Sequence, residues 1–200
     1  MNTAKTLLRT LVVIFGLAAT GLILWRQTHK NKLTVNYGTV GEFSLTDQTG
    51  APVTLASLKG HPWVANFIFT HCQGPCPLIT YKTAQLQKEF SDASHLKFIS
   101  FSVDPEHDTP TVLAAYAKSY DADSSRWHFL TGEKTKVYSV IRDSFKLAAE
   151  PASEKPGSAA DFIHSTFFVL VDKDGRILGY YNSTDNEAFD RLRADLKKWT

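Results

Sequence analysis

A largely apolar run at residues 63–69 ends shortly before the chain's two cysteines, Cys72 and Cys76. The length of this run and its aromatic and β-branched residues are typical of a buried strand, so Cys72 should lie just beyond a strand end. The pair Gly74-Pro75 favours a turn, and Pro77 suits the first helical position, where its missing N–H loses no partner. The sequence therefore predicts a strand, a cysteine loop and a helix, with Cys76 near the helix N-cap.

The start of this predicted helix should stabilise negative charge on a sulfur. Its first N–H groups have no partners within the helix and its dipole is positive at this end, so a thiolate is favoured over a thiol. We therefore expect two partly exposed cysteines whose thiolates form readily.

A C-x-x-x-C pair can bind a soft metal, exchange a disulfide or form a structural bridge, and the spacing alone does not choose among these. A structural bridge is disfavoured because closing so small a loop removes little entropy from the unfolded chain. Structural zinc usually requires four ligands, whereas the chain contains two cysteines. Copper(I) fits better, because it is soft and accepts two thiolates and an imidazole.

Composition indicates one globular domain with an N-terminal appendage. The chain has 200 residues, 43% of them hydrophobic, and a formal net charge of +2. Its basic residues are spread along the sequence and form no run interleaved with aromatics, so we expect no nucleic-acid partner.

The appendage reads as a membrane anchor. Residues 11–25 are uncharged and approach the length of one membrane span. A cleaved signal peptide is the alternative, but no small-x-small cleavage site follows Trp25. We predict a tail (1–9), a single transmembrane helix (10–26), a polar linker (27–39) and a globular domain (40–200). Basic residues flank the apolar run on both sides, so charge does not fix its orientation.

Strand and helix patterns alternate through the domain and end in a hairpin and a helix, which predicts an α/β sandwich whose central strands carry active loops at their ends. A hairpin with turn residues 47–50 opens it. The further predicted strands are 96–103, 127–130, 166–171 and 176–181, and the helices are 77–92, 110–120 with Thr109 as N-cap, 132–145 and 186–199.

Several motifs, in order, resemble those of the Sco/SenC family of membrane-tethered, thioredoxin-like copper proteins. They are Phe69-Thr-x-Cys72-x-x-x-Cys76-Pro77, Ser102-Val-Asp104-Pro-x-x-Asp108-Thr-Pro110, Leu130-Thr-Gly132, and His164 followed by Ser165-Thr166. The likeness spans residues 40–199. It implies a thioredoxin-like fold with an N-terminal hairpin, and copper bound by Cys72, Cys76 and His164.

One departure from the family pattern lies between the cysteines. Many members carry Pro-Asp-Val there, whereas this chain has Gln73-Gly74-Pro75. Loss of the acidic neighbour should make thiolates easier to form and leaves the ligands intact.

The resemblance implies a copper chaperone, not an enzyme, that carries Cu(I) or Cu(II) to the copper-bearing subunit of a haem-copper cytochrome oxidase. It also implies a bacterial inner-membrane protein whose domain faces the periplasm. In that oxidising space a thiol reductant is needed, and another copper donor is a further partner.

A second function uses the same sulfurs. A thiol-disulfide oxidoreductase would keep the recipient's cysteines reduced, and it would need no distant imidazole such as His164. A thiol peroxidase is a weaker alternative, because the Cys72 loop contains no Arg or Lys to activate a thiolate.

Four further residues lie in or beside these motifs, and each has an expected role. Asp104 either caps its own loop or positions the cysteine loop from the adjacent strand end. Asp108 is interpreted as starting a helix together with Thr109. His71 should point away from Cys72 as an accessory or exposed residue, with transient coordination as the alternative, and His107 is expected to be a surface or loop residue.

Overall fold

The computed structural model describes residues 37–147 and 165–199. The predicted N-terminal tail and anchor, nearly all of the linker, and His164 lie outside the described residues. Within the described ranges, no helix is both long enough and apolar enough to cross a membrane.

The described residues form two sheets and five α-helices. The strands are β1 (Ser44–Thr46), β2 (Pro52–Thr54), β3 (Trp63–Ile68), β4 (Lys97–Ser102), β5 (Trp127–Leu130), β6 (Phe167–Val171) and β7 (Ile177–Asn182). The helices are α1 (Leu55–Leu58), α2 (Cys76–Glu89), α3 (Pro110–Ser119), α4 (Lys134–Ser139) and α5 (Asn186–Leu196).

Strand direction decides which loops meet. β1 and β2 form the predicted N-terminal hairpin, and the main sheet has the order β5-β4-β3-β6-β7. β3 runs parallel to β4, with Ile68 in register with Ser102, so the loops that follow these strands leave the sheet at the same edge. β6 runs antiparallel to β3, so the chain enters β6 at that edge too.

One face of the main sheet is covered by α2 and α5. Asn66 of β3 donates from Nδ2 to Thr83 Oγ1 of α2 at 3.1 Å. Phe168 of β6 packs against Phe189 of α5, with 5.9 Å between the ring centroids. These contacts bury the apolar faces of both helices against the sheet.

The opposite face is covered by the segment after α4 and by residues that precede β1. The ring of Phe145 meets that of Phe67 edge-on, with 5.2 Å between centroids. Phe43 contacts Phe101 in the same way at 5.8 Å. The sheet therefore lies between two layers, which confirms the α/β sandwich expected from the sequence.

Local signals place several helix starts correctly. Thr109 caps α3 by accepting from the Val112 N–H at 3.4 Å, and Pro110 takes the first helical position. α2 begins at Cys76, one residue before the predicted Pro77, and its N-cap Pro75 makes no side-chain capping bond.

The predicted helix at residues 132–145 differs in the structure. α4 begins at Lys134 and continues into a π-helical turn, Val140–Ser144, whose wider winding buries Val140, Ile141 and Ser144 together. Ser144 Oγ accepts from the Gly41 N–H at 3.0 Å. This contact joins residues far apart in sequence, so the local pattern carries no sign of it.

The segment before β1 and the hairpin contact both outermost strands of the main sheet, β7 and β5. Thr39 forms an isolated bridge with Arg176 at the start of β7, and Thr46 forms one with Thr131 at the end of β5. The buried side chain of Gln48 extends the second contact, because it satisfies two main-chain groups of β5. Its Oε1 accepts from the Phe129 N–H (2.8 Å) and its Nε2 donates to the carbonyl of residue 127 (2.9 Å).

We expect Gln48→Ala to lower the free energy of unfolding by about 2–6 kcal/mol, because it leaves two buried main-chain groups unpaired at about 1–3 kcal/mol each. The matched control is Gln87→Ala. Gln87 also bonds two main-chain groups, those of Asp121 and Asp123, but in exposed positions where water can replace it. Urea unfolding of the full-length chain, followed by tryptophan fluorescence, measures both. Equal losses of unfolding free energy in the two variants would contradict the stabilisation of the outermost strand β5 by Gln48.

Candidate metal centre

The cysteine loop connects the end of β3 to the first turn of α2. The Cys72 N–H donates to the carbonyl of Phe69 at 3.3 Å, and the Gly74 N–H donates to Cys72 Sγ at 3.4 Å. Cys76 is the first residue of α2. Both cysteines are free thiols, and the two side chains lie close enough to interact electrostatically. The fold thus brings the two predicted sulfur ligands together.

The expectation that both cysteines are partly exposed and readily ionised is wrong for Cys76. Cys72 is half-buried, but Cys76 is only 4% exposed. Burial raises the pKa of the Cys76 thiol to about 12, helped by the hydrogen bond with Cys72 and by the negative charge of Asp108. A backbone hydrogen bond from Phe69 acts in the opposite direction. The helix N-terminus is present as predicted, but loss of solvation outweighs it.

Asp108 supports the start of the cysteine loop. Its carboxylate is completely buried and accepts from the Thr70 hydroxyl (2.6 Å), from the Thr70 N–H (3.2 Å) and from the Ser102 hydroxyl (2.6 Å). The interpretation of Asp108 as a helix-start residue is therefore wrong, because Thr109 caps α3. The sequence does carry a signal for this contact. Thr70 follows β3 and Ser102 ends β4, so each of these two neighbouring strands brings a hydroxyl group to the same edge of the sheet.

Asp104 lies closer to its own loop than to the cysteines. Its N–H donates to Ser102 Oγ at 3.1 Å, and its carbonyl accepts from the N–H groups of His107 and Asp108. Its Oδ2 lies 3.7 Å from Nε2 of His71, the residue before Cys72. The direct hydrogen bonds to Thr70 come from Asp108, so a role for Asp104 in placing the cysteines stays a prediction.

A hydroxyl pair lies behind Cys76. Thr80 Oγ1 donates to the carbonyl of Cys76 at 2.9 Å, which leaves the Tyr116 hydroxyl to donate to Thr80 Oγ1, also at 2.9 Å. Burial raises the pKa of Tyr116 well above its usual range, so this phenol stays protonated. Sequence reasoning missed Tyr116, whose only local signal is an aromatic residue within a helix.

His164 lies outside the described residues, but the residue that follows it is described. Ser165 is buried, and its Oγ accepts from the Phe167 N–H at 3.4 Å at the start of β6. Since β6 runs antiparallel to β3, this point of the chain lies at the sheet edge where the cysteine loop begins.

A family model and a relative of known sequence place this chain in the same family. The family model described as SCO1/SenC matches residues 31–200. The SCO1 protein homolog of Bacillus subtilis is 36% identical over 199 residues, which cover 98% of this chain and 97% of the relative.

Two solved structures agree with this match. BsSco, a member of the Sco family of cytochrome c oxidase assembly proteins in which a disulfide switch was identified, is 38% identical with a TM-score of 0.70, over 83% of this chain and 95% of that chain. ScoI of Bradyrhizobium japonicum with copper bound is 33% identical with a TM-score of 0.67, over 82% of this chain and all of the other (100%). They confirm the mixed α/β, thioredoxin-like fold.

The different surroundings of the two sulfurs predict different reactivity. Raising the pKa from 9.0 to about 12 lowers the thiolate fraction of Cys76 at pH 8 roughly a thousandfold, and the thiolate is the nucleophile. Iodoacetamide should therefore alkylate Cys76→Ser, which retains Cys72, far faster than Cys72→Ser, which retains Cys76 and its burial, the largest cause of the raised pKa. Mass spectrometry of the folded, reduced chain measures both rates, and guanidinium-unfolded samples provide the control. Equal rates in the folded variants would contradict the burial of Cys76.

Proposed function

The chain belongs to the SCO1/SenC family, and from this premise we propose that it binds copper through Cys72, Cys76 and His164 and delivers it to a copper centre of a respiratory haem-copper oxidase. The observation that carries the proposal is the pair of reduced cysteines that the fold brings together between the end of β3 and the first residue of α2. The copper-bound structure of a relative that is 33% identical supports the choice of metal.

The described residues suit copper(I) as cargo. Two adjacent sulfurs supply the soft ligands that this ion prefers, and an imidazole is an acceptable third. Because burial raises the pKa of Cys76, its proton must leave as copper binds. Copper affinity should therefore rise with pH. The same three ligands with an added water would accept copper(II).

The position of β6 supports His164 as the third ligand. Its pairing with β3 brings the start of β6 to the edge from which the cysteine loop extends. Ser165 is buried there, so the chain is fixed within one residue of His164.

Delivery would proceed by ligand exchange with cysteines of the recipient. Cys72 is the more exposed sulfur, so a recipient thiolate would approach the copper ion from the side of Cys72 and replace this ligand first. A transmembrane helix at residues 10–26 would confine donor and recipient to one membrane surface, here the periplasmic face of the bacterial inner membrane, and so raise their effective concentration. A thiol reductant would keep both sulfurs reduced in that compartment.

We expect His164→Ala to weaken copper binding at least about tenfold, since even the loss of a group that supports a ligand costs 10–100-fold. The measurement is an anaerobic titration of the reduced full-length chain with copper(I) against a chromophoric chelator, then with copper(II) to record sulfur-to-copper charge-transfer bands. His61→Ala is the control, because this residue precedes β3 at the opposite edge of the sheet. Unaltered affinity and spectrum in His164→Ala would overturn the three-ligand site.

Thiol-disulfide exchange is the second candidate, favoured by the same proximity of the two free thiols and by the disulfide switch of BsSco. The half-buried Cys72 would attack a partner disulfide as a thiolate and form a mixed disulfide. Cys76, on losing its proton, would then displace the partner. The partner gains two thiols, and this chain is left with a Cys72–Cys76 disulfide.

The exchange function predicts that Cys76→Ser traps a mixed disulfide with a peptide disulfide that models a recipient's cysteine pair, whereas His164→Ala turns over at the normal rate. Rates are followed by mass spectrometry of the released thiols. If this chain reduces the peptide disulfide no faster than free dithiothreitol does, the exchange function is excluded. That result would not bear on the copper-binding proposal.

A further inference from the structure

Two histidines outside the predicted ligand set meet beside the cysteine loop. His71 follows β3 and His107 follows β4, and the parallel pairing of these strands brings both loops to one sheet edge. Their ring centroids are 4.6 Å apart. The side chains are 47% and 54% exposed, so both imidazoles are open to solutes.

A carboxylate lies within reach of both rings. Ligand atoms of His71, His107 and Asp108 all lie within 4.8 Å of one another. An ionised carboxylate has about four lone-pair positions. In Asp108, Thr70 occupies two with its N–H and hydroxyl, and Ser102 occupies one with its hydroxyl. The remaining position is hydrogen-bonded to Nδ1 of His107 at 3.1 Å, so a metal ion held by both atoms would replace the proton between them.

This distance suits a metal ion. Bonds of about 2.0–2.2 Å from zinc-like ions to nitrogen and oxygen place two ligand atoms at right angles about 3 Å apart. The His107 nitrogen and the Asp108 oxygen already have that separation. The exposed His71 ring needs only a side-chain rotation to supply a third donor.

We propose that His71, His107 and Asp108 form a second metal site, which binds one divalent transition-metal ion beside the cysteine loop. Two imidazoles and a carboxylate are borderline to hard ligands, which suit copper(II), nickel(II) and zinc(II) better than copper(I). Among these, copper(II) binds most tightly by the usual order of affinities. Asp104, whose Oδ2 lies 3.7 Å from His71, adds negative charge that favours a cation. The site uses no sulfur, so it stands apart from the function proposed above.

The test removes the thiolate site first. The full-length chain carrying Cys72→Ser and Cys76→Ser is titrated with copper(II) alone, against a competing chelator, and the bound ion is recorded by electron paramagnetic resonance. We expect one equivalent with nitrogen hyperfine structure and no sulfur charge-transfer band. Adding His107→Ala or His71→Ala should weaken binding at least about tenfold and remove nitrogen couplings, since loss of a supporting group alone costs that much.

His61→Ala in the same double-serine background is the matched control and should bind as before. Both tested histidines are exposed, so their loss should leave the fold intact, which circular dichroism checks. If copper(II) binds equally with and without His107, or if His61→Ala weakens it as much, the site does not exist. Failure of the wild-type chain to bind copper(I), with copper(II) binding by the double-serine variant retained, would instead count against the thiolate site alone, so the two proposals fail separately.

Discussion

A buried carboxylate tied to two strand ends is the interaction on which the candidate site depends. Asp108 is completely removed from solvent, and such a group is tolerated only when its oxygens are hydrogen-bonded. Thr70 and Ser102 supply the donors, one from the chain after β3 and one from the end of β4. The hydrogen bonds to Asp108 therefore fix the start of the cysteine loop relative to the neighbouring strand. Cys72 follows Thr70 by two residues.

The same geometry makes the two sulfurs unequal. Cys76 lies under the loop at the start of a helix, where burial and the charge of Asp108 hold the proton on its thiol. Cys72 lies in the loop and is reached from outside. Metal capture and disulfide exchange both begin at an accessible sulfur and finish at a buried one, so this asymmetry gives either reaction an order.

The sequence predicts what local chemistry determines. The buried strand, the capping of α3 by Thr109 and the turn of the first hairpin follow from patterns of a few residues, and the structure reproduces them. The ionisation of Cys76 was misjudged, because its burial depends on packing that no local pattern records. The contact of Asp108 with Thr70 spans 38 residues and needs the parallel pairing of β3 with β4. The approach of His71 to His107 has the same cause.

The bridges made by Thr39 and Thr46 also restrict how other chains can attach to this one. Open sheet edges invite strand addition from partners and from misfolded copies. Here one short N-terminal segment occupies the start of β7 and the end of β5, and Gln48 saturates further groups of β5. Fewer main-chain groups of the outermost strands β5 and β7 are thereby open to pairing with an added strand. The loops at the ends of β3 and β4 differ from these strands, because contacts made there rest on side chains and not on shared main-chain ladders.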